Sequence, residues 1–127
     1  PNATAKRRFE SLVELSRVEK VPVKPLSDWL ELSPFAQAQR IFLKTDTQGH
    51  DLEVIRGAAP LLPQCCMIMS ESSSIALYDR VTGAESLGTV LQDHGFKFAA
   101  AYPLSFDDKD LTVIESDALF VRPASLP

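Results

Sequence analysis

Asp46 and Glu71 are the residues of this chain best placed to do chemistry. Each closes a short apolar run, Ile41-Phe42-Leu43-Lys44-Thr45-Asp46 and Cys66-Met67-Ile68-Met69-Ser70-Glu71. A carboxylate at the end of such a run can act as a general base, orient a substrate hydroxyl, or hold a hard cation. Thr47, Gln48 and Gly49 follow Asp46, and Gln48-Gly49 makes a turn where a missing side chain lets a ligand approach the backbone. Each residue also has a plainer role. Asp46 can cap the helix that follows, Gly49 can serve turn geometry alone, and Glu71 can be a solvated strand end. Lys44 lies two residues before Asp46 and shares its face of a strand, where it pairs with a carboxylate or snorkels to the sheet edge.

The other chemistry-bearing types point to structure. Cys65 and Cys66 are adjacent within an apolar run. Neighbours in a strand face opposite ways, so a bridge between them would distort the backbone. They read as two buried thiols. Neither His50 nor His94 is near them, so zinc-ligand spacing is absent and no metal site is expected. Met67 and Met69 alternate along a strand and read as core.

The elements that must position these groups alternate. Residues 4–17 predict a helix with Phe9, Leu12 and Val13 on one side. Val21-Pro22-Val23-Lys24-Pro25 must be extended, because each proline disfavours helix in the residue before it. Ser27 is expected to cap a short helix through Trp29, and Ser33-Pro34 repeats that signal. The run to Asp46 predicts a strand mostly buried on both faces. A helix then starts at about His50, with Leu52, Ile55, Ala59 and Leu62 at helical spacing. Gly57 and Pro60 predict its break. After the strand ending at Glu71 comes a helix bearing Leu87, Val90, Leu91 and His94, closed by Gly95 as a left-handed cap. Phe96–Tyr102 is a third strand. Residues 103–116 read as an acidic loop holding a short strand at Leu111–Ile114, and Asp117–Arg122 is the last strand. Strands alternating with helices imply right-handed crossovers and a mostly parallel α/β sheet, with a terminal antiparallel hairpin at one edge. In such sheets ligands bind beyond the carboxyl ends of the strands, where Asp46, Gln48-Gly49 and Glu71 fall.

Composition narrows the function classes. The chain has 127 residues, 45% of them apolar and 24% charged, and a net charge of -4. Lys6-Arg7-Arg8 is its only cationic run, so binding to a nucleic-acid backbone is disfavoured. No apolar run is long enough to span a membrane, and no signal-peptide pattern is present at the N-terminus, so a cytoplasmic location is expected.

The stretch Phe42-Leu43-Lys44-Thr45-Asp46-Thr47-Gln48-Gly49-His50-Asp51-Leu52-Glu53-Val54-Ile55-Arg56-Gly57-Ala58 resembles the signature of FkbM-type methyltransferases. That signature is an apolar strand, then Lys-x-Asp-x-Glu/Gln-Gly, then an aliphatic helix ending in Gly-Ala. The segment Val21 to Leu30 resembles the family's upstream stretch, with Ser27 where an Asp is common. Ile68-Met69-Ser70-Glu71, Gly95-Phe96 and Asp117–Arg122 resemble its later landmarks. The resemblance implies a Rossmann-like fold with strands in the order 3-2-1-4-5-7-6, the seventh antiparallel. This chain would then supply strands four to seven, the C-terminal half, as residues 21–127 behind an N-terminal helical segment at 1–20. It also implies S-adenosylmethionine as cofactor and O-methylation of a sugar, glycolipid or natural product. Asp46 and Glu71 become the catalytic candidates, and Asp46, Thr47, Gln48 and Gly49 the cofactor-binding ones.

In that family the first strand and its glycine-rich loop carry most cofactor contacts. No Gly-x-Gly pattern occurs among Gly49, Gly57, Gly83, Gly88 and Gly95. The cofactor-binding N-terminal half is therefore expected to be absent, and the chain alone is expected to bind the cofactor weakly. The strand at 41–46 would then show an unpaired edge, to be covered by the 1–20 helix, by another copy in a homo-oligomer, or by the missing half. Two other readings stand beside this one. A non-catalytic α/β interaction module, or a degenerate methyltransferase half, would use no carboxylate chemistry. A carboxylate-pair hydrolase would use Asp46 and Glu71, but the sequence offers no sugar-binding aromatic cluster.

Overall fold

The computed structural model describes residues 17–73 and 84–123. The helix expected at 4–17 lies outside these residues except for Arg17, which is not helical. The described elements are α1 (Leu26–Glu31), β1 (Ile41–Thr45), α2 (Asp51–Gly57), a 3-10 helix (Ala59–Gln64), β2 (Cys65–Ser73), α3 (Ala84–Asp93), β3 (Lys97–Phe106) and β4 (Val113–Val121).

Four strands form one sheet in the order β1-β2-β4-β3. This is the order 4-5-7-6 that the resemblance implies for the last four strands. β1 pairs with β2 in parallel, while β4 is antiparallel to both β2 and β3. The sheet is therefore mixed, which corrects the expectation of a mostly parallel one. The reason is the place of β4. It inserts between β2 and β3, so one reversed strand makes two of the three pairings antiparallel.

The core lies on one face of this sheet. Ile68, Ala118 and Phe120 pack there against Ile55 of α2 and Leu87 and Leu91 of α3. Phe98 meets Phe120 edge to face, with centroids 5.8 Å apart. Both helices cover this face because their apolar residues recur with the helical period. The opposite face carries Phe42, Lys44, Met67, Met69, Glu71 and Leu119, all partly or fully exposed among the described residues. β1 forms the end of the described sheet. It is an edge strand among the described residues, as the resemblance implied, but it is not buried on both faces as its apolar run predicted, and Phe42 is 52% exposed.

Several boundaries differ from the sequence reading for local reasons. Ser27 does not cap α1. Pro25 occupies that position, and the Ser27 hydroxyl donates to Asp28 Oδ1 at 3.3 Å. Ser33-Pro34 starts a turn and not a helix, because the Ser33 hydroxyl donates to the Leu30 carbonyl and accepts the Phe35 amide. The loop expected at 103–116 shrinks to residues 107–112. β3 runs through Pro103, and it is an edge strand, where proline is tolerated. Leu111 has φ 59 and sits outside β4, so the expected strand at Leu111–Ile114 merges into a single strand from Val113. The Gly57/Pro60 break appears as the change from α2 to the 3-10 helix. Gly95 has φ 81, and Phe96 donates its amide to the Leu91 carbonyl, as a left-handed cap requires.

Candidate functional site

The parallel pairing of β1 and β2 brings the two carboxylates toward one end of the sheet, but Glu71 does not end its strand as expected, because β2 runs on to Ser73 through its pairing with Ser116 and Glu115 of β4. Thr45 and Ser70 are register partners, and Asp46 and Glu71 each follow by one residue. The Thr45 hydroxyl donates to the Ser70 hydroxyl at 2.9 Å, and both residues are buried. Alternation along the strands then turns Glu71 away from Ser70 and onto the open face. Asp46 follows the last residue of β1 and is exposed. It is not the cap of α2. Its Oδ1 accepts from Gln48 Nε2 at 3.0 Å, while the turn is closed by Asp51, whose Oδ1 accepts the Thr47 amide at 3.3 Å. Gln48 and Gly49 complete the turn at φ 51 and φ 95, a region in which glycine carries no steric penalty.

Charge on the open face is mostly negative. Glu71 stands directly opposite Asp117 of β4. Burial pushes the Glu71 carboxyl up to about 7, and Asp46, Glu115, Asp51 and Asp117 push it the same way. Lys44 Nζ lies 2.8 Å from Asp117 Oδ2. That hydrogen bond holds the ammonium above its usual value against partial desolvation, helped by the charges of Asp117, Asp46 and Glu71. Of the two fates weighed for Lys44, pairing with a carboxylate is the observed one. Glu115 receives the Ser105 hydroxyl at 2.8 Å.

Thr47 joins this end to a second feature. Its Oγ1 is buried and has no hydrogen-bond partner. Thr47 and His50 line a groove of about 730 Å³ between the 23–29 segment and α2, with Trp29 and Glu53 also on its wall. An orphaned hydroxyl, an exposed carboxylate and a glycine turn fit one side of a polar ligand at the end of β1. The described residues contain no cluster of three or more potential metal ligands.

The cysteines play no part in this site. Both are buried and unbridged, and burial pushes the Cys65 thiol up to about 11. His94 is exposed past the end of α3, where its carbonyl accepts from Arg122 Nη2 at 2.9 Å. Asp51 and Asp117 were not singled out by the sequence. Asp51 fell in the first turn of the helix expected from about His50, and its spacing of four from Thr47 suits a side chain closing a turn. Asp117 read as the start of the last strand. A charged residue leading an apolar run was its one signal.

Residues 2–98 match the family model described as the methyltransferase FkbM domain. No curated protein and no solved structure matches the chain. No helix among the described residues is long and apolar enough to cross a membrane.

Proposed function

Because the chain belongs to the FkbM methyltransferase family, we propose that it transfers a methyl group from S-adenosylmethionine to a hydroxyl oxygen of a sugar, glycolipid or natural product. The observation that carries this reading is Asp46, just past the carboxyl end of β1, set beside Glu71, two residues before the end of the parallel strand β2.

Asp46, Thr47, Gln48 and Gly49 are the residues that would hold the cofactor. The orphaned Thr47 hydroxyl and the exposed Asp46 carboxylate offer it one acceptor-rich wall. The cofactor supplies an electrophilic methyl group on a sulfonium. The protein has two tasks left, alignment and proton removal. Glu71 takes the proton of the acceptor hydroxyl as that oxygen forms its bond to the methyl carbon. The products are a methyl ether, a thioether and a protonated Glu71. A carboxyl held near 7 suits this role, since it is partly ionised at neutral pH and still basic enough to accept a proton. Asp46 orients the hydroxyl from the neighbouring strand end.

The test is transfer of a radiolabelled methyl group from saturating S-adenosylmethionine to a panel of hydroxyl-bearing acceptors. Alkali-stable label on a hydroxyl is expected, as an ether gives and an ester does not. Glu71→Gln should lower kcat by on the order of a hundredfold, the low end for a lost general base. The rate should rise with pH through about 7 in the wild type and lose that dependence in the variant. Label on carboxyl or nitrogen acceptors alone would overturn the O-methylation reading. Absence of transfer to any acceptor would favour a non-catalytic interaction module.

A further inference from the structure

Lys44 and Asp117 lie on strands that are not neighbours. β1 pairs with β2 and β2 with β4, so the Lys44 side chain crosses the whole of β2 to reach Asp117. It starts opposite Met69 and ends beside Glu71, the register partner of Asp117. Residue alternation puts Lys44, Met69, Glu71 and Asp117 on the same face. One ammonium is therefore within reach of more than one carboxylate.

The groups facing Glu71 can be named from each element around it. Lys44 and Asp46 come from β1 and its end, Asp51 from the start of α2, and Glu115 and Asp117 from β4. Each carboxylate but one has a donor. Asp46 accepts from Gln48, Asp51 from the Thr47 amide, Glu115 from Ser105 and Asp117 from Lys44. Glu71 has no hydrogen-bond donor among the described residues. A carboxylate without a donor, one strand position from an ammonium that bypasses it, is an allocation of charge and not a lack of cations.

We propose that Asp117 is a positioning residue that holds the Lys44 ammonium across β2 and so keeps Glu71 without a counter-ion. Asp117 is the buried member of the pair, with 11% of its side chain exposed against 47% for Lys44. A buried carboxylate binds an ammonium more strongly than an exposed one, because less water competes. Lys44 is the exposed partner and Asp117 the anchor. With the anchor gone, the ammonium falls to Glu71 or Asp46. The value of this device for methyl transfer rests on the reading of Glu71 as proton acceptor, whereas the allocation of the ammonium does not.

The experiment is a carboxyl carbon NMR titration of Glu71 in the full chain. Asp117→Asn should lower the Glu71 midpoint by about one pH unit or more, the effect of a close opposite charge. Part of that fall comes from deleting the Asp117 charge itself. The double variant Lys44→Met/Asp117→Asn separates the two and should retain less than half of the fall. An unmoved midpoint in Asp117→Asn, or an equal fall in the double variant, would overturn the proposal. A second measurement needs no variant. The Lys44 Nζ resonance of the wild type should stay constant while Glu71 titrates, and a shift that tracks the Glu71 midpoint would place the ammonium on Glu71 instead. A normal titration combined with full activity in Glu71→Gln would leave the allocation standing and defeat the catalytic reading alone.

Discussion

The Thr45 hydroxyl donates to the Ser70 hydroxyl at 2.9 Å in the interior, one residue before Asp46 and Glu71. This bond ties the end of β1 to β2 at the rung that precedes both carboxylates. A slip of one residue would move Glu71 into the core and Ser70 onto the open face. Thr45→Val leaves the Ser70 hydroxyl without this partner and is expected to cost about 1–3 kcal/mol of stability. Thr45→Val/Ser70→Ala removes both polar groups and should recover part of that loss. Denaturant unfolding of both variants measures it, and equal losses in the two would deny the bond its role.

Glu71 predicts a pH dependence of stability. Its folded value of about 7 lies above its ordinary 4.5. The group's contribution to stability is thus fully present below about 4.5 and is lost as pH rises through about 7. Glu71→Gln cannot ionise and should escape that loss. The melting temperature of wild type relative to Glu71→Gln should fall between about pH 5 and about pH 8. Parallel curves across that range would place Glu71 in ordinary solvent.

Arg122 anchors the end of β4 to two other elements. Its guanidinium lies 4.5 Å from the Phe96 ring centroid, and it donates to the carbonyls of Pro63 at 3.1 Å and His94 at 2.9 Å. Arg122→Met keeps most of the apolar stem and loses the charge and the donors. A loss of about 2–4 kcal/mol is expected from the cation–π contact and the charged hydrogen bonds together. Lysine should restore only part of it, because one ammonium cannot serve both carbonyls and the ring. Full rescue by lysine would show that the charge alone matters.

Gly95 tests backbone and packing separately. It has φ 81, and a Cβ there would meet no atom within 4 Å. Gly95→Ala therefore meets backbone strain alone and should cost about 1–2 kcal/mol. Asparagine should cost less, because it tolerates the left-handed region. Equal losses for the two would point to a steric clash that the fold does not contain.

Much of this was legible in the sequence, and the failures share a cause. The strand before Asp46, the helix carrying Ile55 and the Gly95 cap are set by local rules, namely apolar periodicity and backbone freedom. The exposure of β1 is not local. Ile41-Phe42-Leu43 reads by itself as a doubly buried strand, while the resemblance implied an unpaired edge at 41–46, and it is at this edge that Phe42 is half exposed. The length of β4 was missed because the polar pair Glu115-Ser116 reads as loop, whereas it pairs with Ser73 and Ser72 and joins the two expected strands. Within the site, Asp46 and Glu71 stood out because each ends an apolar run. Asp117 did not, because its partner Lys44 is distant in sequence and one strand removed in space. Such a pairing depends on register across three strands, which no local pattern encodes.

Under the proposed function, the end of β1, Asp46 to Gly49 with Glu71 beside it, is one wall of a cofactor site. Amide NMR of the labelled chain titrated with S-adenosylmethionine tests it most directly. Shifts should concentrate at Asp46, Thr47, Gln48, Gly49 and Glu71, and saturation should need millimolar ligand. One wall cannot cover the roughly 70–90% of ligand surface that small-molecule sites bury. Shifts confined to residues away from this strand end would contradict the site. Micromolar one-to-one binding would show that the chain encloses the cofactor fully and contradict the single wall.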